Sequence, residues 1–238
     1  MSIGLGLDLE TTSLNIDNCK ILEVGVARFC DKEIIDMNSW LVYQDESFLT
    51  EEVKKISKFK VDMVTEFGYK EDSVLKRLNK VIESVDYIVA YNGRSYDKLV
   101  YENTCKRLGI EPIDKLWVDP LKDIDFGPEI FGRKLVHVAA EHGFLNPFPH
   151  RALFDVVTML KIYFSYDEQI ILDNAKAPVA KIFAINLPFS RKDEAKNRGY
   201  KWDTDNKIWY LEVRDTNDRV SKECAEFGFT TKVIYENN

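Results

Sequence analysis

The stretch Gly6-Leu7-Asp8-Leu9-Glu10-Thr11-Thr12 decides how this 238-residue chain is read. Ile3 to Leu9 is apolar enough for a buried strand. Side chains two apart on a strand point to the same side, with Cα atoms about 6–7 Å apart, so Asp8 and Glu10 converge. Two carboxylates held that close repel, and one pKa rises unless a cation neutralises them. Oxygen-only ligands that leave room for water and phosphate suit Mg²⁺ or Mn²⁺ better than zinc. Two such ions about 4 Å apart would activate a water and steady the leaving oxygen of an in-line phosphoryl displacement.

Two later segments supply partners for this pair. Val89-Ala90-Tyr91-Asn92-Gly93-Arg94-Ser95-Tyr96-Asp97 ends on a third carboxylate, and His150-Arg151-Ala152-Leu153-Phe154-Asp155 holds a histidine and a fourth. At about 3.6 residues per turn, the spacing of His150 and Asp155 puts them off a common helix face, so the histidine precedes the helix. The prolines of Asn146-Pro147-Phe148-Pro149 agree: they favour an extended loop, and the helix then runs from about Arg151 to Phe164. A neutral imidazole held over the site from that loop is a candidate general base. An isolated Asp-x-Glu is most often a solvated or capping pair. Here the order of Asp8, Glu10, Asp97, His150 and Asp155, with their flanking strands, makes them a set.

These motifs resemble the DEDDh group of 3′-to-5′ exonucleases, the superfamily that includes exonuclease X, over about Met1 to Phe164. Lys20-Ile21-Leu22-Glu23-Val24-Gly25 resembles the family's second strand, and Trp117-Val118-Asp119-Pro120-Leu121 the strand end before its later helices. A sister subgroup has tyrosine four residues before its last aspartate; that position here is Arg151, which favours the histidine subgroup. The resemblance implies that Asp8 bridges two metal ions, Glu10 and Asp155 hold the ion carrying the attacking water, Asp97 supports the second, and His150 takes the proton. It implies hydrolysis from a free 3′ end, single-stranded or frayed, releasing nucleoside 5′-monophosphates, with Thr11, through its backbone, and Asn92 at the terminal nucleotide. DNA is favoured over RNA because Tyr166 to Pro178 resembles the stretch after the exonuclease core in exonuclease X. RNA trimming is one alternative, and a proofreading or accessory subunit acting with a polymerase is another. Gln169-Ile170-Ile171-Leu172 faintly resembles a sliding-clamp peptide, but Asp173 stands where an aromatic should follow. Many relatives have histidine where Tyr91 stands and phenylalanine where Tyr96 stands, which bears on the nucleotide pocket and not on the ligands.

Composition bounds these expectations. The net charge, 33 basic against 40 acidic residues or −7, argues against a protein that coats a long duplex, but not against one that grips a few phosphates at an end. Lacking an apolar run of membrane-spanning length and a basic secretory flank, the chain reads as soluble and cytoplasmic. Cys19, Cys30, Cys105 and Cys224 form no CxxC pair and read as reduced thiols. His137 and His142 lie among apolar residues and read as partly buried structural groups. Asp119, Asp123 and Asp125 lack the order of a calcium loop and read as a strand-end loop. Arg94, Lys98 and Arg151 flank the motifs, where they either hold phosphates or merely solvate the surface.

Alternation and β-branched content predict strands over Ile3 to Glu10, Ile21 to Phe29 and Ile34 to Val42, an antiparallel meander. A helix bearing Val74, Leu78, Val81 and Ile82 follows, then a strand Tyr87 to Tyr91, a helix Tyr96 to Leu108, a strand near Leu116 to Val118, and helices over Leu135 to His142 and Arg151 to Phe164. Meander first and crossovers afterwards suits an α/β fold with an RNase H-like mixed sheet flanked by helices. The expected domains are 1–172, a linker over 173–180, and a small α+β unit over 181–238. That unit reads as a strand Lys181 to Leu187, a helix Ser190 to Arg198, a hairpin over Lys201 to Tyr210, a helix near Asn217 to Phe227 and a strand Lys232 to Tyr235. It resembles a short accessory module of phage and plasmid DNA-processing proteins. Trp202, Trp209 and Tyr210, with Lys201 and Lys207, form either its core or a stacking platform for single-stranded nucleic acid.

Overall fold

The computed structural model describes residues 2–51, 61–127, 130, 132–216, 218–228 and 231–236. The chain forms two compact units, Met1–Ala175 and Lys176–Asn238. In the first, β1 (Gly4–Thr11), β2 (Ile21–Cys30) and β3 (Glu33–Leu41) make the expected antiparallel meander, and β4 (Tyr87–Val89) and β5 (Leu116–Val118) extend it in parallel, in the order β3-β2-β1-β4-β5. Helices cover both faces, as an RNase H-like sheet requires. After α1 (Val61–Phe67), α2 (Glu71–Glu83) and α3 (Asp97–Leu108) bury Val74, Leu78, Val100 and Tyr101 against Leu5, Leu7, Leu9 and Val24. A short α4 (Pro120–Asp123) precedes α5 (Leu135–Glu141), α6 (Ala152–Tyr163) and α7 (Glu168–Lys176), which pack Val138, Val156, Leu160 and Ile171 against Ala27, Phe29 and Val89.

The strand alternation that sends Leu5, Leu7 and Leu9 to one side sends Gly4, Gly6, Asp8 and Glu10 to the other, toward α6. Glycine is needed there. A Cβ on Gly6 would lie 2.9 Å from Val156 Cγ1, and one on Gly25, which pairs with Asp8, would lie 2.4 Å from the Ala152 carbonyl carbon. These glycines let the first turns of α6 sit on the sheet beside the carboxylates.

The second unit is an antiparallel sheet, β7 (Lys201–Asp203), β8 (Ile208–Arg214), β6 (Val179–Ala184) and β9 (Thr231–Glu236) in that order, with α8 (Lys192–Asn197) and α9 (Arg219–Phe227). Ala180, Ile182, Ala184 and Val213 face the helices and meet Ala195, Val220 and Phe227. Several boundaries differ from the sequence reading. The stretch 173–180 is the end of α7 and the start of β6 instead of an irregular linker, because Ile171 and Ala175 are buried and keep that helix on the core. The strand expected to reach Tyr91 stops at Val89, where a left-handed Asn92 turns the chain, and Asn217 lies outside the described residues. Among the described residues no helix is long and apolar enough to cross a membrane.

Candidate active site

β1 supplies Asp8 and Glu10, and the first turn of α6 supplies Asp155. Ligand-capable oxygens of Asp8, Glu10 and Asp155 all lie within 4.8 Å of one another. Asp97 opens α3 and is buried; its Oδ1 accepts the Leu9 N–H at 3.0 Å, which ties it to the strand between the first two acids. Burial pushes the Asp8 carboxyl well above the usual range, and Asp97, Glu10, Asp155 and Glu23 repel it further. Glu10 is pushed up to about 8 by burial and then by Asp155 and Glu23, and Asp97 to about 7 by burial against the Leu9 N–H. Asp155 is raised by burial too, opposed by the His150 N–H. Carboxylates crowded until they retain protons are a donor set that fits a divalent cation.

His150 is exposed on the loop before α6 with a left-handed φ of 65°, and its backbone N–H, not its ring, donates to Asp155 Oδ2 at 2.9 Å. Among the described residues nothing hydrogen-bonds the imidazole. Asn146 Nδ2 donates to Asp155 Oδ1 at 2.7 Å, while the Asn146 Oδ1 accepts the Phe148 N–H. The loop thus hangs on the Asp155 carboxylate.

Glu23 is the residue that motif reading missed. It lies opposite Glu10 in the β1–β2 register, is fully buried, and accepts from Ser39 Oγ at 2.6 Å, Arg151 Nε and Nη2 at 3.0 Å each, and Ala152 N–H at 3.1 Å. Its one sequence signal is a charge at an inward position of a strand whose following inward residues, Gly25, Ala27 and Phe29, carry none. Arg151 is therefore engaged by Glu23. Arg94 makes two 2.7 Å bonds to buried Asp123, and Lys98 lies 3.8 Å from Glu102. The phosphate-holding reading of all three gains no support. Asp119 accepts the Asn92 and Leu121 N–H groups and Asp123 the Asp119 N–H, so the acidic cluster is scaffolding for the loop before Asp97.

Neither Thr11 nor Asn92 is hydrogen-bonded to the four carboxylates among the described residues. The Thr11 hydroxyl meets the Tyr96 hydroxyl, which also donates to Ser13 O at 2.6 Å, and the Asn92 side chain is exposed. The departure at Tyr96 thus fastens the Thr11–Ser13 loop to the start of α3, and Tyr91 binds Arg133 O at 2.7 Å. His142 is partly buried as expected, bonded to Val138 O and Tyr166, but His137 is exposed. All four cysteines are free thiols. Gln169–Leu172 lies in α7 with Ile171 buried, which removes it as an extended clamp peptide. In the second unit Trp209 packs against the core, Trp202 stands half-exposed 5.4 Å from it, and Tyr210 points to the opposite face.

A mixed sheet with an acidic cluster on its central strand and helices on both faces is an RNase H-like architecture. Residues 5–163 match the exonuclease family model (RNase_T), and the chain belongs to that family. Residues 183–222 match a domain of unknown function, DUF5710. Solved structures of exonuclease I share the fold: one addressing how its processivity is achieved superposes with a TM-score of 0.70 at 14% identity, covering 97% of this chain and 68% of that one. The zinc-bound Escherichia coli exonuclease I–ssDNA complex gives 0.69 at 14% with the same coverage, and the complex with a dT13 oligonucleotide 0.66 at 12%, covering 97% and 69%. No curated protein matches the chain in sequence. The structures named here are of exonuclease I, so the finer likeness to exonuclease X is unsupported by them.

Proposed function

We propose that this exonuclease works from the 3′ end, on DNA, releasing nucleoside 5′-monophosphates. The observation that carries the reading is the convergence of Asp8, Glu10 and Asp155 within 4.8 Å, beneath a loop whose His150 is exposed and whose backbone is bonded to Asp155. Two Mg²⁺ or Mn²⁺ ions would supply the electrophilic pull on the phosphate and lower the pKa of the attacking water. Asp8 would serve both ions, Glu10 and Asp155 the one nearer the nucleophile, and Asp97 the other. His150, whose ring makes no hydrogen bond among the described residues, would accept the proton of that water. Thr11 and Asn92 would hold the terminal nucleotide from the rim. DNA is preferred because the exonuclease I complexes of the same fold hold DNA oligonucleotides.

End-labelled single- and double-stranded DNA and RNA, incubated with Mg²⁺, Mn²⁺ or EDTA, test this. A ladder shortening from the 3′ end in metal and absent in EDTA is the expected result. Loss of label from the 5′ end, or equal cleavage in EDTA, would overturn the direction or the metal requirement, and faster loss of RNA would reassign the substrate.

A further inference from the structure

The second unit has helices on one face of its four-stranded sheet, and the register of the other face places Lys201, Tyr210, Phe183 and Lys232 in a single row. Lys201 pairs with Tyr210, Tyr210 with Phe183, and Phe183 with Lys232, so the row crosses β7, β8, β6 and β9. Directly paired residues of antiparallel strands share a face. The two rings occupy the central strands, half-buried, with centroids 6.3 Å apart, and an exposed lysine ends the row on each edge. Ile234 stands beside them, 43% exposed, and a depression of ≈ 460 Å³ bordered by Lys181, Phe183, Tyr210 and Glu212 opens next to the rings. Two acids of this face have partners of their own: Glu212 lies 3.9 Å from Lys181, and Asp203 takes the Asp205 and Asn206 N–H groups and the Asn206 amide. Among the described residues neither Lys201 nor Lys232 faces a carboxylate.

We propose that this row is a binding surface for single-stranded nucleic acid. Phe183 and Tyr210 would stack successive bases, and Lys201 and Lys232 would meet the phosphates on either side. Aromatic rings on a bare sheet stack bases of any sequence, and flanking cations track the backbone. A duplex would not fit, since its bases are already stacked. Phe183 is new to the assignment, whereas Trp209 follows the core alternative of the sequence reading and Tyr210 the platform alternative.

The test uses the full chain in EDTA and fluorescein-labelled dT and rU oligonucleotides of about 4 and about 16 residues, bracketing the usual footprint. Tyr210→Ala and Phe183→Ala should each weaken binding of the longer strand by about 5- to 150-fold. Lys201→Gln with Lys232→Gln, at exposed positions that the fold does not need, should flatten the log–log salt slope by about 1.4. Strands carrying 5-iodouracil should crosslink to Tyr210 or Phe183 on irradiation. The dT and rU arms distinguish DNA from RNA, and tighter binding of either supports the surface. Wild-type affinity and salt slope in the lysine pair, or crosslinks confined to residues 1–175, would overturn it, as would lysine effects without any from the two rings in variants that melt normally.

Discussion

Removing Glu23 tests whether the site is built on a clamp behind it. Glu23 joins β2 to the first turn of α6 through Arg151 and the Ala152 N–H, and Ser39 fixes it from β3. In Glu23→Ala these donors lose their acceptor. Breaking a buried ion pair costs about 3–5 kcal/mol. The Arg151 side chain is 36% exposed and can rehydrate, so the lower end applies, and relief of repulsion with Glu10 offsets part of it. A net loss of about 2–3 kcal/mol should lower the melting temperature of the first unit by about 5–10 °C.

Activity should fall by more than stability alone dictates, because the segment released carries both His150 and Asp155. Groups that orient metal ligands from behind typically matter by about 10–100-fold. Glu23→Gln, which keeps the shape and one acceptor, should fall between wild type and alanine in both readouts. Calorimetry and single-turnover cleavage, run below the melting transition, measure the two effects separately. A Glu23→Ala protein melting within about 1 °C of wild type and cleaving at the wild-type rate would refute the clamp.

Asp8→Asn should abolish cleavage yet melt at or above the wild-type temperature without metal, since it deletes a carboxylate that its neighbours repel. His150→Ala should lose most turnover while retaining metal and 3′-end binding, seen as a fall in kcat with little change in KM. The metal-free protein should lose stability as pH rises from about 4 to about 8, because folded Glu10 (about 8) and Asp97 (about 7) hold protons that unfolded carboxylates, at 4.5 and 3.8, have released; urea unfolding at both ends of that window, with and without Mg²⁺, reads the slope and its removal. A chain ending after Lys176 should keep the cleavage step on the shortest strands, whereas one ending at Asp173 should be destabilised, since it drops buried Ala175 and the Asn174 bond to Asp123 O.

Local signals in the sequence sufficed where one element sets the outcome. The alternation in β1, the apolar spacing of α2 and the prolines before His150 each specify their own geometry, and the observed elements agree to within a few residues. What was not legible depends on partners distant in sequence. Arg94 and Arg151 look like phosphate ligands until the fold brings Asp123 and Glu23 to them, and the end of α7 from Asp173 looks like a linker until Ala175 finds the core. Tyr210 and Trp209 are adjacent in sequence and point to opposite faces, which only strand register could assign.

The way these carboxylates are held bears on how well the site suits a cation. Asp97 and Asp155 are fixed by the Leu9 and His150 N–H groups and by the Asn146 amide, and among the described residues no lysine or arginine forms an ion pair with Asp8, Glu10, Asp97 or Asp155. Amide donors orient a carboxylate while leaving its charge uncancelled. A neighbouring guanidinium would instead compete with the metal, and both arginines of the motifs are occupied by acids outside the ligand set. Arg151 already lowers the Glu10 pKa from its position on Glu23. With Glu23 removed in Glu23→Ala, it would be drawn more strongly to Glu10, the acid opposite Glu23 in register, and would neutralise part of that proposed ligand's charge. The clamp therefore has a second consequence that stability measurements do not report: the metal concentration giving half-maximal cleavage should rise in Glu23→Ala and recover in Glu23→Ala/Arg151→Met, and failure of the double variant to recover would assign the defect to loop position alone.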